Sequence, residues 1–418
     1  MTTAVAVHES WLEGYKRVSG RGPNWLQALR GRAFERFCTL GFPTTKMEEW
    51  RFTNVAPIAK GLFAPAKGGK PATDVGSAPN RLVFVDGRYA PELSSLAAVP
   101  QGVTFASLAE KPELAEKTLG CHADYQDQAF VALNTALFED GAFLRIPRGV
   151  VLEEPIYLHY VSSGDGTVSH PRALIVAEAE SQAAIVESYS GAGFYYSNPV
   201  TEVIAGANAV LEHYSVQQDS DAAFRTATLQ IHQERTSNVT DHNVSLGGKL
   251  TRNDVNFVLD GEGAEAHMYG LYVVTGESHV DNHTSLDNRK PHCPSREIYK
   301  GILDGKASAV FNGGIIVRQD AQKTDAKQSN KNLLLSEGAT INTKPQLQIW
   351  ADDVKCTHGA TIGQMDPESL FYMRSRGIGE REARNLLTFA FSNDLLMKMK
   401  VPAVRETLAQ AIQTRLSK

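Results

Sequence analysis

Cys356 and His358, separated by a single threonine, are the residues of this sequence whose types and spacing best suit metal chemistry. The preceding segment, Ile349 to Val354, is predicted to form a strand, and residues two apart on a strand project to the same face. A thiolate beside an imidazole offers ligands that iron, copper and zinc accept. Two ligands do not complete a site, so the pair matters most if another chain supplies the rest. The alternative is a small buried cysteine next to a turn histidine.

The remaining cysteines and histidines do not form a recognisable ligand set. Cys38, Cys121, Cys293 and Cys356 are scattered without a Cys-x-x-Cys motif, which argues against a disulfide framework and against a self-contained zinc or iron–sulfur site. A second cluster comprises His279, His283, His292 and Cys293. Asp and Asn residues between them favour a loop, and we expect an ordered hydrogen-bonded network there rather than a metal site.

Composition excludes several function classes. The chain has 418 residues, 42% hydrophobic and 21% charged, as expected for a globular protein with a large core. A net charge of −5 gives no reason to expect nucleic acid as partner. The N-terminus lacks the pattern of a secretory signal, and no run of about 18 apolar residues predicts a membrane span. A reducing cytoplasm is therefore the expected compartment. No phosphate-binding loop occurs, because Gly247-Gly248-Lys249 lacks the required flanking residues.

Three regions are predicted along the chain: a helical and mixed region at 1–141, a β core at 142–364 and a helical region at 365–418. In the core, short segments rich in Val, Ile, Tyr and Thr alternate with Gly and Asn. Six of them look related and recur mostly at about 25–32 residues, which favours a stacked solenoid over a β-sandwich. They begin at Ala183, Ala209, Val239, Ala266, Ala309 and Ile341. The longer interval from Ala266 to Ala309 predicts an insertion at roughly residues 276–295.

The C-terminal region carries clear helix boundaries. Asp366 is predicted to cap a helix that has Pro367 at its first position and stops near Gly377. Two more helices are expected, one from Glu380 to Met399 and one that begins at Pro402. Such helices cover the open end of a solenoid or dock a partner.

Three motifs follow one another in this part of the chain: VKCTHGATIG at 354–363, LFYMRSRGI at 370–378 and EARNLLTFAF at 382–391. Their order and spacing resemble the C-terminal signature of the SufB/SufD family, the scaffold proteins of the Suf iron–sulfur cluster assembly machinery. The resemblance extends upstream through residues 298–336. It returns at residues 41–56, a segment similar to the SufD branch in particular. Residues 60–140 match only diffusely.

The resemblance implies a right-handed parallel β-helix between helical ends. It also implies that a nascent cluster is held at a SufB–SufD interface. There His358 is the main expected ligand, and Cys356 is an adjacent candidate. A SufB cysteine corresponds to Ser329 here, and serine is a poor ligand for soft metals. We therefore expect a transient iron–sulfur cluster shared with a partner subunit, and no stable cofactor on the isolated chain.

The expected partners are a SufB-like subunit, which forms a heterodimer with this chain, and a SufC-like ABC ATPase. The family resemblance assigns ATPase docking to the C-terminal helices, where Arg374, Arg376, Gly377 and Phe391 match the signature. These four residues would otherwise only fasten the helices to the β core. A homodimer of the isolated chain is left open, and no catalysis is expected.

Two other function classes stay open. Parallel β-helices often act on carbohydrates, which requires acidic residues clustered in one groove. A homodimeric structural solenoid without metal chemistry is the second alternative.

Overall fold

The computed structural model describes residues 9–416, except 67–70, 72–74, 163 and 165. Short 3₁₀ turns lie at Glu48–Trp50, Pro91–Leu93 and Pro112–Ala115. No helix of the described part is long and apolar enough to cross a bilayer. The α-helices are α1 (Glu9–Val18), α2 (Asn24–Leu40), α3 (Ala56–Lys60), α4 (Ala129–Leu137), α5 (Pro367–Ser375), α6 (Glu380–Leu396) and α7 (Pro402–Leu416).

Strands occupy most of the chain between α3 and α5. The first strands are β1 (Ala64–Pro65), β2 (Asn80–Val85), β3 (Arg88–Tyr89), β4 (Ser95–Leu96), β5 (Thr104–Ser107), β6 (Ala142–Ile146), β7 (Ile156–Ser162), β8 (Thr167–Ser169) and β9 (Arg172–Ala177). The later strands are β10 (Gln182–Gly191), β11 (Tyr195–Ser197), β12 (Val200–Ala205), β13 (Val210–Gln218), β14 (Phe224–Gln233), β15 (Asn238–Ser245), β16 (Leu250–Leu259), β17 (Glu265–Val274), β18 (His279–Asn288), β19 (Pro294–Leu303), β20 (Ser308–Val317), β21 (Asp325–Leu334), β22 (Thr340–Ile349) and β23 (Lys355–Gln364).

The strands form two sheets that the chain visits alternately. Sheet A has the order β5-β6-β9-β12-β14-β16-β18-β20-β22, and sheet B has the order β3-β2-β7-β10-β13-β15-β17-β19-β21-β23. From β10 onward, neighbouring strands are parallel and the coils stack in register: Val210 pairs with Asn238 and Asp325 with Lys355. One coil therefore takes roughly 30 residues and gives one strand to each sheet. The predicted β-solenoid with helical ends is confirmed.

Alternating burial along each strand separates the interior of the solenoid from its outer faces. On β17, Ala266 and Met268 are buried in the main core. His267 and Tyr269, which alternate with them along the strand, are partly exposed. Residues that pair across a parallel sheet point the same way, so this alternation carries over from coil to coil. The face of every residue in the later coils follows from its register.

The helical ends cover the outer faces of the sheets. Trp11 of α1, Phe37 of α2 and Phe130 of α4 share an apolar cluster with Tyr196 of sheet A. On the other side, apolar residues of α6 and α7 pack against sheet B. The sheets also include β2 to β5, which lie before residue 142. The predicted division of the chain at 141 and 364 stays a prediction.

Two local predictions are wrong. The insertion expected at 276–295 does not exist, because these residues include strand β18 and the start of β19. The strand expected from Ile349 to Val354 is a turn: β22 ends at Ile349 and β23 begins at Lys355. In that turn the carboxylate of Asp353 pairs with Lys323, and its backbone N–H donates to Gln322 Oε1 at 3.0 Å.

Candidate metal-binding site

Strand β23 carries both predicted ligands. It is the last strand of sheet B and pairs only with β21, where Cys356 lies beside Ala326 and His358 beside Gln328. Ala326 and Gln328 are buried in the interior. Cys356 and His358 therefore share the inner face of the last coil, as their two-residue spacing predicted, although β23 begins later than expected.

The interior is not covered at this end by the described chain. Ile349 of β22 and Ile362 of β23 are in register with the buried residues Val317 and Asn332, so both face inward. They are nevertheless 39% and 50% exposed. Helix α5, which follows β23, buries none of its residues. The last coil thus exposes the edges of both sheets and an inner face that preceding coils bury.

The two ligands differ in availability. Cys356 is partly buried against the main apolar core, and this burial raises the pKa of its thiol above the ordinary value. A thiol must lose its proton to bind metal, and the raised pKa makes that loss harder for Cys356. His358 is exposed. Because its side chain is open to metal and to a second chain, His358 is the more available ligand.

No group of three or more His, Cys, Asp or Glu side chains in the described part of the chain could hold a metal ion. The pair on β23 is consequently an incomplete ligand set. A tetrahedral or cluster site here needs ligands from outside the described chain.

A buried polar row lies behind His358. In register, Gln328 of β21 is its neighbour and Glu297 of β19 comes next. Gln328 Nε2 donates a hydrogen bond of 2.8 Å to Glu297 Oε2, and Thr284 Oγ1 donates one of 2.5 Å to Glu297 Oε1. Burial raises the pKa of Glu297 to about 7. The sequence analysis missed this row, although counting back one coil at a time from His358 would have found it.

Ser329 lies on the opposite face of β21 from Gln328. Its register partner is Gly359, which separates it from the face that carries His358. This position does not add to the inner-face pair.

The four residues predicted to bind a partner fall into two groups. Arg374 and Arg376 are exposed and contact only neighbouring residues, Arg374 through Glu380 and Arg376 through the ring and hydroxyl of Tyr372. Gly377 ends α5 with φ of 87°, a conformation that favours glycine. Phe391, the last of the four, instead anchors α6 to the β core.

Phe391 holds α6 against Lys300 of strand β19. Its backbone oxygen accepts a hydrogen bond of 2.8 Å from Lys300 Nζ, and its ring centroid lies 4.6 Å from the same nitrogen. Lys300 also pairs with Asp394 at 2.7 Å. For Phe391 the contacts therefore match the structural alternative given above.

The predicted N-cap of α5 is confirmed, since the Asp366 side chain accepts from the backbone N–H groups of Glu368 and Ser369.

Two histidines of the predicted loop, His279 and His283, lie on strand β18 and hold the N-terminal segment, whereas His292 lies in the turn before β19. His279 Nε2 is 2.9 Å from Thr53 Oγ1, and His283 Nδ1 is 3.3 Å from Glu49 Oε2. Cys293 is buried, which raises the pKa of its thiol to about 11. His279 and His283 therefore form a hydrogen-bonded network rather than a ligand set, and Cys293 lies apart from it.

A cleft of about 460 Å³ lies between this N-terminal segment, α4 and sheet A. It is lined by the carboxylates of Glu49, Asp127 and Asp254, the groups that carbohydrate chemistry would require. Asp127 is exposed and pairs with Arg36 at 3.2 Å. Asp254 Oδ1 is 2.7 Å from Arg252, and the hydrogen bond from His283 holds the pKa of Glu49 below its usual value. A glycosidase acid needs a raised pKa, so the cleft does not favour that alternative.

Comparison with known proteins identifies the family. Residues 159–391 match the family model "SUF system FeS cluster assembly, SufBD core domain", and residues 74–158 match "SufBD protein N-terminal region". An iron–sulfur cluster assembly SufBD family protein of Synechocystis is 35% identical over 95% of this chain and 93% of its own. The iron–sulfur cluster assembly protein SufD of Escherichia coli is 29% identical, over 97% and 94%. That of Bacillus subtilis is 27% identical over 99% of both chains.

Proposed function

This chain belongs to the SufBD family of iron–sulfur cluster assembly proteins, and from that premise we propose that it is a SufD-like scaffold subunit. In this role it pairs with a SufB-like subunit and a SufC-like ABC ATPase in the cytoplasm. It holds a nascent cluster as cargo and catalyses no reaction itself.

The observation that carries the proposal is the uncovered last coil. Two ten-residue edge strands, β22 and β23, and inward-facing apolar side chains are exposed together at one end of the solenoid. Unpaired strand edges and apolar surface are the features that a protein partner buries. A second solenoid that docks there would continue both sheets and cover Ile349 and Ile362.

The same docking would complete the ligand set. His358 and Cys356 face the covered space, and the partner would add the remaining ligands. A site divided between two chains releases its cargo when the chains move apart, whereas four ligands on one chain would retain a cluster. The cluster is therefore transient in this proposal.

The ATPase is assigned to α5 and the turn that follows it. Phe371 and Tyr372 are 74% and 59% exposed, and Arg374 and Arg376 lie beside them. An aromatic and arginine-rich surface is typical of interface centres. No residue of α5 is fully buried in the described chain, so Phe371 and Tyr372 are open to a partner.

Co-purification tests the subunit assignment. The tagged chain, co-expressed with a SufB-like and a SufC-like protein, should retain both. Ile362→Lys should lose the SufB-like subunit, because it places a charge in the covered space. Val151→Lys is the matched control: Val151 is 53% exposed but lies in the first part of the solenoid. Equal recovery of the SufB-like subunit with both variants would contradict docking at the last coil.

A further inference from the structure

The amide of Gln328 is held in one orientation directly behind His358. Its Nε2 donates a hydrogen bond of 2.8 Å to Oε2 of the buried Glu297 carboxyl. The other end of the amide, Oε1, is buried and has no hydrogen-bond partner among the described residues. Gln328 as a whole is 3% exposed. An unpaired buried acceptor of this kind is costly and calls for a donor.

The opposite sheet fixes the amide from its other side. A Cβ at Gly313 of β20 would lie 2.4 Å from Gln328 Nε2, so the amide fills the space that a side chain would occupy. The Gln328 side chain is thus confined by Glu297 beside it and by β20 across the interior.

The donor within reach is His358. Neighbouring strands lie about 4.8 Å apart, and residues in register point the same way. His358 therefore projects from the neighbouring strand on the same face as Gln328, and an inward rotamer of its imidazole would bring a ring N–H toward Oε1. In the described chain alone His358 is exposed, because nothing covers the last coil.

We propose that Gln328 is a positioning residue for His358: its Oε1 accepts the N–H of one ring nitrogen and leaves the other unprotonated and aimed at the cargo. This inference rests on the proposed function. A histidine that binds metal commonly donates its second N–H to a carbonyl or carboxylate, which sets both tautomer and ring orientation. Glu297 contributes to the arrangement because its carboxyl engages the NH₂ group of Gln328 and leaves Oε1 for the imidazole.

Iron binding by the assembled complex tests the proposal. Removal of such a partner typically weakens metal binding 10- to 100-fold, so Gln328→Leu should lower the iron affinity of the reconstituted complex by about tenfold or more. Gln328→Met, of similar volume, should do the same. Gln233→Leu is the matched control: Gln233 is another fully buried glutamine with an unpaired Oε1, but it lies on β14, away from the last coil, and iron affinity should not change.

A double-mutant cycle separates positioning from a general structural role. In the His358→Ala background, Gln328→Leu should have no further effect, because Gln328 acts through the imidazole. Additive losses would overturn the proposal, as would full iron affinity in Gln328→Leu when His358→Ala has lost it. If His358→Ala itself retains full affinity, the ligand assignment in the proposed function fails, and this inference with it.

A readout without metal completes the test. In a crystal structure of the metal-free complex, Gln328 Oε1 should lie about 2.7–3.2 Å from a ring nitrogen of His358. Co-purification of both partners with Gln328→Leu shows that the complex still assembles. An imidazole turned away from Gln328 in the covered interface would overturn the proposal.

Discussion

Replacing Glu297 by glutamine should stabilise the protein at alkaline pH and have little effect in acid. Glu297 is 1% exposed, and burial raises the pKa of its carboxyl from 4.5 to about 7, with no cation among the causes. The folded chain therefore holds this proton up to about pH 7, whereas the unfolded chain loses it near pH 4.5. Because the folded state binds more protons in this interval, its stability falls as pH rises from 4.5 to 7 and stays low above.

The size of the effect follows from the shift in pKa. About 2.5 pH units at 1.36 kcal/mol each make the ionisable side chain cost about 3 kcal/mol at pH 8, and less than 1 kcal/mol at pH 5. Glutamine avoids this cost. Its oxygen accepts from Gln328, and its NH₂ group donates to Thr284 Oγ1 once that hydroxyl turns from donor to acceptor. For a chain of this length, 3 kcal/mol corresponds to a change in Tm of about 3 °C.

Thermal unfolding of Glu297→Gln and the wild-type chain across pH 5 to 8.5 is the assay. The difference in Tm should grow with pH and level off above about pH 7.5. Glu337→Gln removes a carboxylate from an exposed turn and should show no such growth. A difference in Tm that does not change with pH, or a variant less stable than the wild-type chain at pH 8, would refute the raised pKa of the buried Glu297 carboxyl.

Three further predictions concern the proposed roles. His358→Ala should leave the complex assembled but impair cluster formation in cells, with a weaker effect for Cys356→Ser; full complementation of a deletion strain by His358→Ala under iron limitation would contradict the site. Phe371→Asp should weaken ATPase binding at least tenfold in a pull-down titration without lowering Tm, because the ring is 74% exposed; unchanged binding would remove α5 from the interface. The isolated chain, reconstituted anaerobically with iron and sulfide and then desalted, should keep no visible chromophore, and near-stoichiometric bound iron would disprove the need for a partner.

The fold class could be predicted because strand composition, repeat length and helix boundaries are local signals. Asp366, Pro367 and Gly377 marked the beginning and end of α5, and the structure shows them in those roles. It was harder to predict to which of the two sheets each repeated segment belongs. Ala266 is on sheet B and Ala309 on sheet A, so the two segments treated as equivalent are one and a half coils apart.

That half-coil error produced the false insertion. The true successor of Ala266 is Ser295, followed by Ala326 and Cys356. Segments of both sheets share the same alternation of small and apolar residues, so composition does not distinguish them. Only hydrogen-bonded register tells which residues stack. The loop predicted at His279 and His283 had a different cause: the Asp and Asn residues between them favour turns, yet here they lie within β18.

The same register explains why the ligand pair could be predicted and the row behind it could not. Cys356 and His358 are close in sequence, and the two-residue period of a strand suffices to place them together. Glu297, Gln328 and His358 are joined only by the stacking of three coils. The last coil has no successor in the described chain, so its inner residues keep the orientation that stacking imposes while they lack the cover that every earlier coil receives. A ligand placed on that coil is held rigidly by the coils behind it and remains open to a second chain in front, which is the arrangement that a shared, releasable site requires.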